Sequence, residues 1–173
     1  SLDALEMTNP ITTDELADMF RELVRLNAID QGMIYLQITR GNPGDRSFVF
    51  PDKDLPCTVV AFTQNVPNLA DAPAAQTGFK VISIPDLRWG RVDIKTTQLL
   101  YPSMGKMMAK KAGCDDSWFV ADDSGITEGT SNNAYIVKGN RIITRQLSTD
   151  ILHGITRASV LRFAAEAQFE IEE

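Results

Sequence analysis

The stretch Arg91-Val92-Asp93-Ile94-Lys95 decides how the rest of the chain is interpreted, because two later segments give Lys95 a chemical context. Those segments are Gly125-Ile126-Thr127-Glu128-Gly129-Thr130-Ser131-Asn132-Asn133 and Ile151-Leu152-His153-Gly154-Ile155-Thr156-Arg157. Together the three stretches offer an amine, a carboxylate and a small-residue turn that can open a helix. A cofactor with an aldehyde, a basic ring nitrogen and a phosphate needs one such group for each of these parts.

The composition is that of an ordinary globular protein, with 43% hydrophobic and 23% charged residues among 173. A chain of this length can form one domain or two small ones. The formal net charge of −6 argues against a nucleic-acid partner held by phosphate neutralisation. The sequence has no apolar run of the roughly 20 residues that a membrane-spanning helix needs, so no membrane partner is predicted. Residues 1–6 do not have the pattern of a secretion signal.

Cys57, Cys114 and His153 are the only cysteines and the only histidine, and they limit the chemistry of the chain. The two cysteines have neither zinc-site spacing nor a disulfide framework, which predicts reduced thiols in a cytoplasmic protein. A single histidine excludes Ser-His-Asp or Cys-His chemistry unless His153 is itself the base. For the same reason no metal ligands are predicted.

The first part of the chain predicts a helix followed by extended segments. Thr12-Thr13-Asp14-Glu15 has the pattern of a capping box, and the apolar residues after it have helical spacing. The alternation over 34–39 predicts a strand. After the turn at 41–45, extended structure is predicted to resume at Phe48-Val49-Phe50-Pro51, and a second strand is predicted over 57–62.

A segment rich in proline and small residues, 68–76, predicts a linker between residues 1–67 and residues 77–173. In the second part a helix is predicted between Thr96 and Ala112, kinked or divided by Pro102. A last helix is predicted to start near Ile155 and to run through Ala164. Strands are predicted over 80–84, 118–121, 134–137 and 142–144, and a hairpin turn at 138–141 joins the last two.

Both ends of the sequence have the pattern of a longer protein. Residues 1–6 resemble the tail of a helix, and Phe169-Glu170-Ile171-Glu172 alternates as a new strand would. The chain stops at Glu173, before that strand is expected to pair. We therefore expect a fragment of a longer enzyme.

Lys95 and Glu128 are the candidate reactive side chains. An amine that follows a strand and precedes a helix can form a Schiff base with an aldehyde and later move a proton. Taken alone, however, the pattern around Lys95 favours a solvated lysine. A carboxylate such as Glu128 can keep a pyridine nitrogen protonated. Taken alone, its glycine-flanked position favours an exposed turn glutamate or a helix-capping partner.

Gly154-Ile155-Thr156 is predicted to open the last helix, where free backbone N–H groups and the helix dipole favour a phosphate. Thr130-Ser131-Asn132-Asn133 is rich in hydrogen-bond donors and indicates a binding wall, with a polar hairpin as the alternative. Arg46 follows a turn and can clamp a substrate carboxylate through two hydrogen bonds. Arg40 competes for that role, and either arginine can instead be an exposed turn residue.

In order and spacing, these segments resemble the fold-type IV pyridoxal-phosphate enzymes of the class IV aminotransferase family, and most of all the D-amino-acid transaminases. The resemblance covers nearly the whole chain, and its specificity lies in the order of four modest motifs. These are Tyr35-Leu36-Gln37-Ile38-Thr39-Arg40-Gly41, Arg88-Trp89-Gly90-Arg91-Val92-Asp93-Ile94-Lys95, Ile126-Thr127-Glu128-Gly129-Thr130-Ser131-Asn132 and Ile151-Leu152-His153-Gly154-Ile155-Thr156-Arg157.

The resemblance implies a mixed α/β and α+β fold, with residues 1–67 in a small N-terminal α/β domain. Residues 77–173 would then belong to a larger, cofactor-binding domain with a barrel-like β core. It also implies pyridoxal 5′-phosphate as the cofactor, an amino acid and a 2-keto acid as substrates, and a homodimer. The implied reaction is transamination.

The same resemblance implies the roles of individual residues. Lys95 is expected to be the Schiff-base lysine and Glu128 the partner of the pyridine nitrogen. Tyr35 and Arg46 are expected to contact substrate, Arg46 from the neighbouring subunit. The other expected cofactor contacts are Leu152 on the ring, Ile155 and Thr156 with Gly154 at the phosphate, and Thr130 and Ser131.

Two departures and several alternatives accompany this interpretation. Phe48 stands where D-amino-acid transaminases usually have a histidine, and an apolar ring cannot donate to a carboxylate. The family's N-terminal segment with a phosphate-binding arginine, and its C-terminal segment that completes the phosphate site, are not in the sequence. Other reactions on the same fold are an aminodeoxychorismate lyase and a branched-chain or amine transaminase. A non-catalytic scaffold is the alternative of another class.

Overall fold

The computed structural model describes residues 1–69, 71–123 and 125–173. The chain divides into two compact units. The N-terminal unit contains Leu2–Thr77, and the C-terminal unit contains Gly78–Glu173 together with Ser1. The division falls beside the predicted linker, although the assignment of the two units to the predicted domains stays a prediction. Every helix in the described residues is too short or too polar to cross a lipid bilayer.

The N-terminal unit contains one long helix and a two-stranded sheet. The capping box at the start of α1 (Thr13–Leu26) is confirmed, because the backbone N–H of Glu15 donates to Thr12 Oγ1 and the backbone N–H of Thr12 donates to Glu15 Oε2. The predicted strands are confirmed as β1 (Gly32–Thr39) and β2 (Thr58–Asn65), which pair antiparallel.

The prediction of extended strand structure at Phe48-Val49-Phe50-Pro51 is wrong. The segment bends, and Phe48 is 90% exposed. Two of its rings instead lie under guanidinium groups, Phe48 under Arg46 and Phe50 under Arg40. Each of the two rings therefore has a cation–π contact with a nearby arginine in place of a neighbouring strand.

The predicted linker lies in the N-terminal unit and ends in regular structure. Within 68–76, Ala70 lies outside the described residues, and the last three positions belong to the short helix α2 (Ala74–Thr77). Pro73 precedes this helix, where its fixed φ angle and missing N–H favour a first helical turn.

The C-terminal unit is built from two strand–helix–strand connections. In the first, α3 (Leu100–Lys111) joins the parallel strands β3 (Val81–Pro85) and β4 (Asp116–Val120). Strand β5 (Ile126–Gly129) then pairs antiparallel with β4. In the second, α4 (Ile155–Glu166) joins the parallel strands β7 (Arg141–Thr144) and β8 (Glu170–Glu172), and β6 (Tyr135–Lys138) pairs with β7.

Three predictions for the C-terminal unit need correction. Pro102 neither kinks nor divides α3, because it lies in the first turn, where helical N–H groups have no intrahelical acceptor. Glu128 lies in strand β5 and not in a turn. The terminal strand does pair: β8 joins β7, with Ile171 opposite Ile142. The predicted hairpin and the predicted start of α4 are confirmed.

The core of the C-terminal unit forms where α3 packs on the β3–β4–β5 sheet. Phe119 on β4 is fully buried and stacks with Tyr101, with 5.5 Å between the ring centroids. Gly105 allows this close approach, because a Cβ atom there would lie 3.2 Å from Ile84 Cδ1. Strand β4 lies between β3 and β5, and the loop after β3 reaches β5 through Asp86, which accepts a hydrogen bond from Thr127 Oγ1 at 2.7 Å.

Asp116 at the start of β4 fixes the turn that follows β5. Its buried carboxylate accepts hydrogen bonds from Thr130 Oγ1 at 2.6 Å, Asn132 Nδ2 at 2.9 Å and the Ser117 N–H at 2.8 Å. Burial alone would raise the pKa of Asp116, but the hydrogen bonds from Thr130 and Asn132 outweigh burial and lower it.

We predict that Asp116→Asn destabilises the protein by about 1–3 kcal/mol at pH 7, since buried donors lose a charged acceptor. A lowered folded-state pKa stabilises the protein above the unfolded-state pKa of about 4, and this stabilisation is lost as the pH falls through the folded-state value. The difference in unfolding free energy between wild type and variant should therefore shrink below about pH 4. Urea unfolding at several pH values measures it, with the exposed Asp122→Asn as the control. A difference that does not change with pH would contradict the assigned ionisation.

Candidate active site

The site begins where β3 ends, with a buried aspartate–arginine pair. The Asp86 N–H donates to Val120 O at 2.8 Å and so holds the loop against β4. Arg88 donates to both Asp86 oxygens, from Nε at 2.8 Å and from Nη2 at 2.6 Å. The Asp86 side chain is 12% exposed and the Arg88 side chain is 8% exposed. This two-pronged geometry fixes the guanidinium plane.

Glu128 is the centre of the site. Its side chain is 7% exposed and lies on β5, with one oxygen accepting a hydrogen bond from Arg88 Nη1. The other oxygen accepts from Asn133 Nδ2 at 3.0 Å and from the Leu152 N–H at 3.1 Å. A single β-bridge between Glu128 and Asn133 brings the amide into range. The carboxylate is therefore fixed by three separate chain segments.

Asp86, Arg88 and Glu128 form a charge cluster in which two carboxylates share one guanidinium. When both carboxylates are ionised, the cluster has one net negative charge. Burial raises the pKa of Glu128, and the hydrogen bond from Arg88 only partly offsets this effect. Burial would also raise the pKa of Asp86, but there the hydrogen bonds from Arg88 and Thr127 prevail and lower it. A buried cluster with excess negative charge favours a cation or a proton donor at Glu128.

The turn before α4 adjoins this carboxylate. Gly154 is the N-cap of α4, and Asn133 Nδ2 donates to Leu152 O at 3.0 Å. A Cβ atom at Gly154 would lie 2.5 Å from Asn133 Oδ1, so this position needs glycine for close packing. Ile155, the first residue of α4, is 85% exposed. The first N–H groups of such a helix can bind an anion.

Lys95 lies in the loop between β3 and α3, and its side chain is exposed. The loop is tied to the segment that leads into α4, because the Val92 N–H donates to Thr149 O at 2.8 Å and Arg88 Nη2 donates to Asp150 O at 3.1 Å. Ile94, 6% exposed, anchors the position next to Lys95 in the core. The loop is therefore held while the amine is free to reach a ligand.

The other predicted cofactor contacts differ in their surroundings. Thr130 is buried, and its hydroxyl donates to Asp116, so this side chain supports the turn. Ser131 and Thr156 are exposed, and Leu152 is half-buried. The structure thus brings Glu128, Leu152 and Gly154 into one hydrogen-bonded group.

Tyr35 and Arg46 lie in the N-terminal unit. The Tyr35 hydroxyl donates to Gln37 Oε1 at 2.9 Å, and its ring stacks on Phe62 with 4.9 Å between the centroids. Arg46 is exposed, and its guanidinium carbon lies 4.8 Å from the centroid of the Phe48 ring. The substrate-binding roles of both residues stay predictions.

Sequence reasoning gave no role to Asp86 or Arg88, and it included Asn133 only in the predicted binding wall Thr130-Ser131-Asn132-Asn133. A signal was present for the first two, since opposite charges two residues apart directly after a predicted strand favour a local ion pair. Their connection to Glu128 has no such local signal, because Arg88 and Glu128 are distant in the sequence and meet through the pairing of β3, β4 and β5. Among the described residues, no cluster of three or more acidic, cysteine or histidine side chains is arranged to hold a metal ion.

Comparison with known proteins gives a consistent result. The family model for class IV aminotransferases matches residues 1–173. A curated relative, the D-alanine aminotransferase of Bacillus licheniformis, is 38% identical over 160 residues, which are 92% of this chain and 54% of the relative. The chain spans about half the length of the curated relatives it matches.

Two solved structures share the fold. A protein assigned as a 4-amino-4-deoxychorismate lyase, from Legionella pneumophila, superposes with a TM-score of 0.84 at 20% identity over 99% of this chain and 62% of its own. The branched-chain amino acid aminotransferase of Thermobaculum terrenum in its PLP form gives a TM-score of 0.76 at 22% identity, over 99% and 56% of the two chains. The family match and the shared architecture lead to one conclusion: the chain belongs to the class IV aminotransferase family and has the fold-type IV architecture.

Proposed function

We propose that the protein is a pyridoxal-phosphate-dependent transaminase that moves an amino group from a D-amino acid to a 2-keto acid. The observation that carries this proposal is the buried Glu128 carboxylate, held beside the N-terminus of α4 in a cluster with excess negative charge. A carboxylate next to an anion-binding helix end suits a ligand with a cationic ring at one side and a phosphate at the other.

The residues present fit this cofactor. Glu128 would bind the protonated ring nitrogen, and the Ile155 and Thr156 N–H groups would bind the phosphate. Leu152 would pack on the ring, while Thr130 and Ser131 would line the turn beside it. Gly154 fits the same arrangement, since the packing of Asn133 against it leaves no room for a side chain.

The bound cofactor would supply an electron sink for the carbanion formed at the substrate α carbon. Lys95 would bind the aldehyde through its amine and, when the substrate amine replaces it, would take up the α proton at Nζ. Glu128 would hold the ring-nitrogen proton throughout, because its burial and its fixed orientation keep that proton from solvent. Arg46 and Tyr35 are proposed to orient the substrate carboxylate.

The similarity to the D-alanine aminotransferase of Bacillus licheniformis supports a D-amino acid as donor. The structural likeness to the Legionella protein and to the branched-chain aminotransferase supports two other reactions on this fold, aminodeoxychorismate cleavage and branched-chain transamination. These alternatives would use the same Lys95 and Glu128 and differ in the substrate-binding residues.

We further propose a cytoplasmic homodimer. The free thiols of Cys57 and Cys114 suit a reducing compartment. The exposed Phe48, Val49 and Phe50 place an apolar segment next to Arg46 on the surface of the N-terminal unit. Such a segment suits contact with a second copy, which would bring Arg46 to the site of its partner.

We predict that Lys95→Ala abolishes both turnover and the change in cofactor absorbance on adding substrate, in the intact protein that contains this chain. The reason is that no amine remains to bind the aldehyde or to take up the α proton. Stopped assays and absorption spectra measure both effects. Lys138→Ala, at the exposed end of β6, is the matched control and should behave as wild type. Near-normal turnover without Lys95 would refute its role.

The donor substrate is tested by mixing the pyridoxal-phosphate-loaded protein with D-alanine and then with a 2-keto acid. We expect the absorption band to bleach with D-alanine and the added keto acid to be converted into an amino acid. Bleaching with L-leucine alone would support a branched-chain transaminase instead. Release of pyruvate from aminodeoxychorismate would support the lyase, and no absorption band at all would overturn the proposed cofactor.

The proposed contribution of Arg46 to a neighbouring site can be tested by subunit complementation. Lys95→Ala and Arg46→Met are each expected to be inactive as homodimers, because every site lacks one required group. In a mixed dimer, one site would contain Lys95 from one subunit and Arg46 from the other, so about half of the sites should work. Sedimentation establishes the dimer, and turnover after co-expression measures the complementation. A mixed dimer without activity would show that Arg46 does not act across an interface.

A further inference from the structure

The shared use of Arg88 by two buried carboxylates calls for a physical explanation. A single carboxylate partner would neutralise the guanidinium, yet the Arg88 guanidinium donates two hydrogen bonds to Asp86 and another to Glu128. Thr127 Oγ1 adds a hydrogen bond to Asp86 at 2.7 Å, so Asp86, like Glu128, accepts from more than one residue. Burying a second negative charge costs free energy unless a cation pairs with it.

We infer that Asp86 is a positioning residue that sets the charge around Glu128: by offsetting the Arg88 guanidinium, it leaves Glu128 free to hold a cationic ring nitrogen. This inference rests on the proposed function, since that function supplies the cation. With Asp86 present, Asp86, Arg88, Glu128 and a protonated ring would sum to zero charge. Without Asp86, the same buried group would have a net positive charge, which disfavours the ring proton.

The neighbouring groups leave this charge balance unchanged. Around the cluster, Asn133 and the Leu152 N–H are neutral donors to Glu128, and the Asp150 main-chain oxygen accepts from Arg88. The arginine also lies 4.5 Å over the Phe119 ring. From α3, the Tyr101 hydroxyl donates to Pro85 O, and burial followed by the nearby Asp86 charge raises the pKa of Tyr101, which keeps it neutral. Of these groups in the described part of the chain, the ionised ones are therefore Asp86, Arg88 and Glu128.

The direction of the pKa of Glu128 agrees with this role. Burial contributes most to raising the pKa, Arg88 opposes it, and the negative charge of Asp86 raises it further. Removing Asp86 should thus make Glu128 a stronger acid that pairs with Arg88. Removing Arg88 should have the opposite effect. If both residues were purely structural, either substitution would loosen the loop through lost hydrogen bonds. The pKa of Glu128 would then change in the same direction in both variants.

The test uses Asp86→Asn and Arg88→Gln in the intact protein, which have opposite charge effects. Asparagine keeps the shape of aspartate, and glutamine is neutral but shorter than arginine. In cofactor-free protein, carbon-13 NMR of labelled glutamate follows the Glu128 carboxyl, assigned with Glu128→Gln. In protein loaded with nitrogen-15 pyridoxal phosphate, nitrogen NMR follows the ring proton. Asp123→Asn is the matched control, because Asp123 also accepts from an arginine, Arg145, at 2.9 Å but lies outside the cluster.

We expect Asp86→Asn to lower the pKa of Glu128 and to weaken the proton affinity of the ring nitrogen about tenfold or more. Arg88→Gln should raise the pKa of Glu128 and strengthen the affinity for the ring proton. Arg88→Lys, which keeps the charge with fewer hydrogen bonds, should restore the wild-type direction. Asp123→Asn should change neither pKa.

The outcomes separate this inference from the proposed function. Changes of equal sign in Asp86→Asn and Arg88→Gln, or none in Asp86→Asn, would overturn the charge-setting role even if the cofactor binds normally. Opposite changes of the Glu128 pKa in cofactor-free protein that binds no pyridoxal phosphate would support the charge-setting role and refute the proposed cofactor. If Asp86→Asn does not fold, Asp86→Glu keeps the charge, and its Glu128 pKa should stay near wild type. A pKa displaced as far as in Arg88→Gln would count against the inference.

Discussion

The hydrogen bond between Arg88 and Glu128 is the interaction on which the site depends. It joins the loop after β3 to strand β5, and through the Asp150 carbonyl Arg88 also contacts the segment before α4. Each of these segments bears one predicted functional group, namely Lys95, Glu128 and the N-terminus of α4. Because the interaction is buried and charged, it holds the three segments together even though they are far apart in the sequence.

The fold explains why the three segments that bear these groups are in contact. Both parallel pairs, β3 with β4 and β7 with β8, are connected by a helix, and the loop before each helix donates a hydrogen bond to Glu128, from Arg88 and from the Leu152 N–H. The Asp116 carboxylate stabilises the turn on the far side of this bridge. The position of the Glu128 carboxylate therefore follows from sheet pairing and from one buried polar anchor, while the N-terminus of α4 follows from its glycine cap.

How much the sequence predicts depends on the range of the interaction. The capping box at Thr12, the hairpin at 138–141 and the start of α4 were predicted correctly, because each depends on residues a few positions apart. The partners of Glu128 were not predicted, since they come from three segments that only the sheet order unites. The pairing of β8 was missed for the same reason: a three-residue strand has a weak pattern, and its partner β7 determines it. Pro102 was judged by residue type, whereas its position in the first turn decides its effect.

Asn133 places an additional constraint on how this site can vary through evolution. Its one amide nitrogen donates to a Glu128 oxygen and to the Leu152 carbonyl, so both partners are acceptors. Aspartate, although similar in shape, has no proton to give and would set a third carboxylate against Glu128. Serine or threonine has a single proton for two acceptors, and a longer amide would collide with the tightly packed Gly154. Substitutions at this position should therefore be eliminated by selection wherever the carboxylate and the glycine turn are both retained.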